Sequence, residues 1–318
     1  MPKISGPSCP HRRNPCNNAR GFAIWISLLV VLLLTVLIFE LDFQTRVDLR
    51  AAEHFRDDVR ALHLVRSAVA AGQAFLRNDQ TPQFDALTEP WATPTIDYPL
   101  GDGTLSVQIH DETAKFNLNS LVTGTVGQKQ VKHAKLLYML SLLSVPEKEA
   151  ASLVASIIDW LDPPDDVENA VYLRRDPPSL PKNGPLDTLE EIRLIDGMTD
   201  TLYRKVVPYL TVYGHIGAAG ATGKVNINTA DHLVIRSLHE KIDEAVVAQL
   251  QQNRPYQNVG AIRTGLDNTI DQTIQSFVTV RSDTFSIEVT GRVHDVRKVA
   301  RAVVRRGAND GLLYFRVE

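Results

Sequence analysis

The chain has 318 residues, 34 of them Lys or Arg and 37 Asp or Glu, with a net charge of −3 and an apolar share of 44%. With 22% charged and 7% aromatic residues, this balance is ordinary for a folded protein and excludes wholesale disorder, a collagen-like chain and a multispan membrane protein. The length suggests about two domains. The first element in chain order departs from the average. Phe22 to Phe39 (FAIWISLLVVLLLTVLIF) holds 18 residues without a charge, close to the ~20 that cross a bilayer as a helix. No second run approaches it.

Residues 1–21 carry Lys3, Arg12, Arg13 and Arg20 and no acid, so this leader is +4 and the remainder of the chain −7. Lys and Arg gather on the cytoplasmic side of membrane helices. Glu40, Asp42, Arg46 and Asp48 beyond the apolar run give no competing positive excess. The expected topology is therefore single-pass, with the leader in the cytoplasm and the body outside it, which in a bacterium is the periplasm. Both cysteines, Cys9 and Cys16, lie in the leader, so the stability of the body rests on core burial or bound metal rather than on disulfides. Cys9-Pro10-His11 followed by Cys16 lacks the four-ligand spacing of a zinc site. The apolar run is too long for a secretory signal peptide, and no small-x-small cleavage site follows it.

Arg20-Gly21 before Phe22, behind a basic leader, resembles a type IV prepilin. The resemblance implies cleavage by a prepilin peptidase after Gly21 and methylation of the new amino terminus at Phe22. The fifth mature residue is then Ile26, where most pilins have Glu. From Glu40 to Arg77 the chain has no Pro and one Gly. An apolar series at Phe55, Val59, Leu62, Val65 and Val69 predicts one continuous helix of about 55 residues, whose second half offers a stripe to a folded domain.

Pro82, Pro90, Pro94 and Pro99 break the pattern, and alternation from Thr104 to Ile109 predicts a strand. The segment Phe116-Asn117-Leu118-Asn119 is echoed by Val225-Asn226-Ile227-Asn228, and each copy precedes helical segments at 131–143 with 147–161, and 230–238 with 242–252. This predicts a duplicated helical unit between residues 113 and 278, with the Asn and Ser or Thr side chains as turn and cap residues. Strand patterning returns at 284–291 and 299–305, then a turn at 307–311 and a closing strand at 312–317. Arg292, Arg297, Lys298, Arg301, Arg305 and Arg306 crowd this region and are expected on a solvated sheet face.

Between Asp159 and Asp200 there are 11 acids against four bases. The densest part runs Asp159-Trp160-Leu161-Asp162-Pro163-Pro164-Asp165-Asp166-Val167-Glu168. Five carboxylates so close together repel unless they are solvated or share a hard cation, and Ca2+ takes about 6 to 8 oxygens in irregular loops. The EF-hand order of ligands is absent. Gly220-Ala221-Thr222-Gly223-Lys224 hints at a phosphate loop, yet Ala218 and Val225 occupy its required Gly and Ser or Thr positions. With no metalloprotease helix, nucleophile elbow or paired acid and base in a pocket, the chain is not expected to be an enzyme.

The joint pattern of Arg20-Gly21, Phe116 to Asn119, Asp159-Trp160 with its acidic loop, Tyr172-Leu173-Arg174, Pro177-Pro178, Asn183-Gly184, Glu191-Ile192, Gly197-Met198-Thr199 and Val225 to Ala230 resembles the K-type minor pseudopilins of type II (general) secretion systems. The resemblance spans nearly the whole chain. It implies an α+β, pilin-like fold in which a long N-terminal helix packs on an antiparallel sheet interrupted by a large all-α, duplicated, SAM/helix-hairpin-helix-like insert. The expected divisions are leader 1–21, transmembrane helix 22–39, remaining helix and first strands 40–112, insert 113–278 and last strands 279–318.

The function implied is that of a tip subunit initiating a periplasmic pseudopilus for export across the outer membrane, anchored in the inner membrane. The implied partners are I- and J-type minor pseudopilins, the major pseudopilin, the prepilin peptidase, and the secretin and secreted substrates. Calcium is implied in the insert, with Asp159, Asp162, Asp165, Asp166 and Glu168 as candidate ligands. The rival reading is a periplasmic, membrane-anchored DNA-binding helix-hairpin-helix protein of a DNA-uptake or pilus system, because Val225 to Ala230 before two short helices resembles the opening of such domains. Its hairpin would be Leu238 to Ile242, which lacks glycine and carries an acid. The acidic body also opposes phosphate, so no nucleic-acid partner is expected.

Overall fold

A computed structural model describes residues 18–163, 180–214, 216–217, 220–221, 223–263, 266, 268–306 and 311–318. Helix α1 (Asn18–Arg77) runs unbroken for 60 residues, as expected where neither proline nor a cluster of turn formers interrupts it. Among the described residues it is the one helix long and apolar enough to cross a membrane. The chain divides into two compact units, Met1–Asp57 and Asp58–Glu318. In the first, every side chain from Phe22 to Arg56 is exposed. That includes Phe55, which is 71% exposed and therefore does not belong to the core stripe expected of it.

The stripe that packs in the second unit is Ala61, Val65, Ala68, Val69 and Leu76. It faces a five-stranded antiparallel sheet of order β1 (Thr95–Leu100), β2 (Gly103–Asp111), β9 (Thr284–Val293), β10 (Val296–Arg305) and β11 (Gly311–Val317). The inner face alternates as a strand must: Leu105 and Ile109, then Phe285, Ile287 and Val289, then Ala300, Ala302 and Val304. Small residues carry the contact because helix and sheet approach closely. A Cβ built on Gly291 would lie 2.8 Å from Val65 Cγ1, and one on Gly72 would lie 3.1 Å from Ile287 Cδ1. Trp91 closes the end of this core edge-on to Phe285, with ring centroids 5.1 Å apart. Each large apolar side chain so buried contributes about 1.5–3 kcal/mol.

Strand β1 lies where the prolines read as breaks. Pro99 sits within it opposite Thr104, which is permitted because β1 is an edge strand and an edge N–H needs no ladder partner. The turn expected at 307–311 begins outside the described residues, while β11 pairs with β10 as the hairpin reading required.

Between β2 and β9 the chain forms two copies of one unit. In the first, β3 (Phe116–Asn117) leads through a 3-10 turn to α2 (Val126–Leu142) and α3 (Glu147–Leu161). A 3-10 helix at Leu189–Leu194 and α4 (Asp200–Val206) follow, and β4 (Leu210–Thr211) returns parallel to β3. After a two-residue hairpin of β5 (Ile216–Gly217) and β6 (Gly220–Ala221), the order repeats. It comprises β7 (Val225–Asn226), α5 (His232–Ser237), α6 (Glu244–Gln252), a 3-10 helix at Val259–Arg263, α7 (Asn268–Ile274) and β8 (Val278–Thr279) parallel to β7. These paired bridges make the insert other than purely helical. Both copies share one apolar core, from Leu118, Leu136, Leu153 and Ile157 to Ile227, Ile235, Ile242 and Val247.

Candidate functional site

The echoed Asn residues explain why the same unit forms twice. In each copy the first Asn caps the turn, Asn117 Oδ1 accepting from the Asn119 amide at 3.0 Å and Asn226 Oδ1 from the Asn228 amide at 3.0 Å. The second Asn clamps the loop that leads into the 3-10 helix of its own repeat. Asn119 Nδ2 donates to the Leu186 carbonyl at 2.9 Å while its Oδ1 accepts from the Leu186 amide at 2.8 Å. Asn228 does the same to Tyr256, at 2.9 and 2.8 Å. Such buried, two-way amide pairing replaces the hydrogen bonds that water would otherwise supply.

The copies differ in what lies before the clamp. In the second, a short connection joins Gln252 to Val259. In the first, the corresponding stretch from Leu161 to Leu189 contains the acidic segment, which is therefore an insertion into a repeated frame. Its base is fixed. Gly184 donates from its amide to the Trp160 carbonyl at 3.2 Å, and Lys182 bridges Asp187 at 2.6 Å and Glu191 at 3.0 Å. Glu191 Oε1 accepts from the Asp187 and Thr188 amides. Of the sequence-derived ligand candidates, Asp159 lies in the last turn of α3 and Asp162 is its C-cap, both partly exposed. Asp165, Asp166 and Glu168 lie outside the described residues. At the amino end, Gly21 and Phe22 fall within α1 near its start, and Ile26 is 49% exposed on the same helix.

A second polar constellation joins insert to sheet, and sequence reasoning missed it. Asp111, at the end of β2, accepts from Thr229 Oγ1 and Ser282 Oγ at 2.5 Å each, from Asn226 Nδ2 at 3.1 Å and from the Thr113 amide. Asp85 accepts from the Ser282 amide at 2.7 Å and from Arg306 at 2.6 Å, while Arg306 also reaches Asp79 at 2.9 Å. Arg306 is thus largely buried in an ion network and is not on the solvated face expected for it. Arg292, Arg297 and Arg301 are exposed as expected, and Lys298 reaches Asp58 at 2.8 Å. Burial pushes the Asp85 carboxyl up to about 6, against the Ser282 amide and Arg306, with the neighbouring Asp111 charge adding to the rise. Burial likewise raises Asp111, opposed by its hydrogen bonds from Ser282 and Thr229. For Glu112 burial also acts upward, but the Lys115 charge at 2.7 Å and hydrogen bonds from Lys115, Thr211 and Ser286 outweigh it and leave its pKa lowered. Of its members, Asn226 is the turn residue its motif predicts, while the motif and the basic cluster that contain Thr229 and Arg306 give no sign that these residues meet Asp111 and Asp85.

A family model described as type II secretion system (T2SS), protein K, matches residues 114–215, the first repeat with its acidic insertion. The chain is 25% identical to type II secretion system protein K of Aeromonas hydrophila over 329 aligned residues, covering 95% of this chain and 97% of that one. It is 28% identical to the protein of that name from Klebsiella pneumoniae, over 66% of each chain. Among solved structures, a chain of the GspK–GspI–GspJ complex from the enterotoxigenic Escherichia coli type 2 secretion system superposes with a TM-score of 0.71 at 23% identity. That match covers 85% of this chain and 98% of that one, and it extends the likeness of fold to nearly the whole neighbour.

Proposed function

We infer that this chain, which belongs to the type II secretion system protein K family, is a minor pseudopilin at the tip of a periplasmic pseudopilus, where it starts the assembly that supports protein export. The observation that carries the reading is the correspondence with a protein K over 95% of this chain, which itself joins an apolar N-terminal helix, a five-stranded antiparallel sheet and a duplicated insert. The family is a structural component of a secretion machine. The solved neighbour is part of a complex with I and J subunits, and the same partners suit this chain. The leader's +4 charge favours an inner-membrane anchor with its amino terminus in the cytoplasm, and Gly21-Phe22 is the junction for the prepilin peptidase. The test is co-purification: the full chain in detergent should retain I- and J-type minor pseudopilins together. Recovery of neither partner from cells that express all three would end the reading.

The same reading gives the acidic segment a cation. Asp159 and Asp162 stand at the C-terminal end of α3, which has no base in its last turn. Carboxylates there oppose the negative end of the helix dipole. The donors are hard oxygens, a set that fits Ca2+. Asp159, Asp162, Asp165, Asp166 and Glu168 would supply ligands, and the ion would neutralise their mutual repulsion.

A further inference from the structure

Two lysines one turn apart on α2 look alike in sequence and differ in the structure. Lys132 is satisfied: its Nζ donates to the Ser120 carbonyl at 2.8 Å, the Thr123 carbonyl at 3.0 Å and Thr123 Oγ1 at 3.2 Å. An ammonium has three hydrogens, and these three acceptors use them. Lys135 is also buried, 6% exposed. Its Nζ donates to the Leu238 carbonyl and lies 4.6 Å from the centroid of the Phe277 ring. It forms no ion pair among the described residues. A buried cation held by one carbonyl and one ring face lacks most of the compensation that burial of a charge requires.

The space beside it is not filled. Lys135 lines a pocket of about 200 Å³ between the two repeats. Val131, Ala134 and Tyr138 of α2 form one wall, and Ser237, His239 and Thr273 face it. His239 Nδ1 accepts from the Lys241 amide at 3.1 Å, so a neutral ring carries its proton on Nε2 and is a second donor. Glu240, exposed at the mouth, disfavours a second negative charge. One cation, one neutral donor and an apolar wall match a monoanion on an apolar stem and do not match a phosphate dianion.

We propose that the pocket between α2 and the α5–α6 turn is a carboxylate subsite, in which the Lys135 ammonium and His239 receive the anionic end of a small organic acid or of a polypeptide. Burial alone holds the Lys135 amine down to about 8, and an anion beside it restores the ammonium form. The inference goes beyond the pseudopilin assignment and does not depend on it.

The experiment uses the full chain in detergent micelles with 13C-labelled lysine, following the Lys135 Cε resonance through a pH titration. Butyrate should raise the Lys135 midpoint by about one unit, which is a tenfold preference for the ammonium form, and neutral butyramide should leave it in place. A short peptide with a free C-terminal carboxylate, set against its amidated form, tells the two sources apart: a response to the peptide alone assigns the site to a polypeptide end, and a response to both assigns it to carboxylates in general. Lys135→Met should abolish any butyrate-dependent gain in melting temperature; if that variant does not fold, the wild-type titration decides alone. The proposal is overturned if neither carboxylate moves the midpoint, if butyramide moves it equally, if Lys135→Met keeps the gain, or if only inorganic phosphate acts.

Discussion

Asp85 faces Arg306 and Asp111, with Asp79 on the far side of the guanidinium. Because its folded pKa is raised from 3.8 to about 6, folding favours its protonated form. That contribution is fully present below the unfolded pKa and is lost as pH rises through about 6. Asp111 acts in the same direction. Glu112 acts oppositely, its contribution being present above its unfolded pKa and lost as pH falls through its lowered folded value. Stability, read as the melting temperature, should therefore rise as pH is lowered from ~7.5 through about 6 towards ~4, by up to about 3 kcal/mol for a two-unit shift, and fall again below ~4. Asp85→Asn should flatten the first limb; an unchanged slope would show that other groups set it. The clamps give a simpler case. Asn228→Ala leaves the buried Tyr256 amide and carbonyl without partners, at a cost of about 2–4 kcal/mol in denaturant unfolding. A loss below ~1 kcal/mol would mean that the second repeat does not depend on its clamp.

At the scale of elements, α1 and the sheet are held by closeness more than by bulk. A methyl at Gly291 would press on Val65 and Leu64, so Gly291→Ala should destabilise by about 1–3 kcal/mol. Gly127 in α2 has open space at its Cβ position. Gly127→Ala should therefore be neutral or stabilise by up to ~1 kcal/mol, and equal losses at both sites would refute the packing account. These elements also show what the chain makes legible. Helix α1, β2, β9, α3 and the duplication follow from local periodicity and from repeated Asn residues, which act over short separations. Strand β1 was hidden because Pro99 signals a break everywhere except at a sheet edge. The Asp85, Asp111, Asn226 and Arg306 joint was hidden because its members lie far apart in the chain and carry no common period. The acidic segment is visible through composition, whereas its place as an insertion into one of two copies depends on the matching order of elements in the two repeats, which local sequence does not display. Calcium should raise the melting temperature of the full chain, and a chelator should remove that gain, because a ligand bound only by the folded state stabilises it by mass action. Asp162→Ala and Glu168→Ala should each erase most of the difference. Identical melting curves with calcium and with chelator would leave the segment merely solvated.

For the molecule as a whole, the tip assignment turns on one position and one bulk. With the proposed cleavage after Gly21, Ile26 would be the fifth residue of the helix, where the resemblance to pilins implies an acid that pairs with the charged amino terminus of a neighbour within the apolar bundle. An unpaired charge there costs at least ~2.5 kcal/mol on insertion scales, and Glu40 lies almost four helical turns further along, beyond the apolar run. A subunit with Ile26 leaves a neighbour's amino terminus unpaired wherever that neighbour depends on it, and only an end of the filament spares it this demand. The insert acts in the same sense. Residues 113–278 form a body of two fused repeats between β2 and β9, too large to be repeated at each step of a close-packed shaft but unobstructed above its last turn. Wild-type chain should therefore be found as one copy at one end of assembled fibres by immunogold imaging or crosslinking. Ile26→Glu supplies the missing acid and should not convert it to a shaft subunit, because the insert still blocks stacking. Wild-type copies repeated along the shaft would refute the tip assignment, and Ile26→Glu copies entering the shaft would show that the single position, and not the insert, had kept them out.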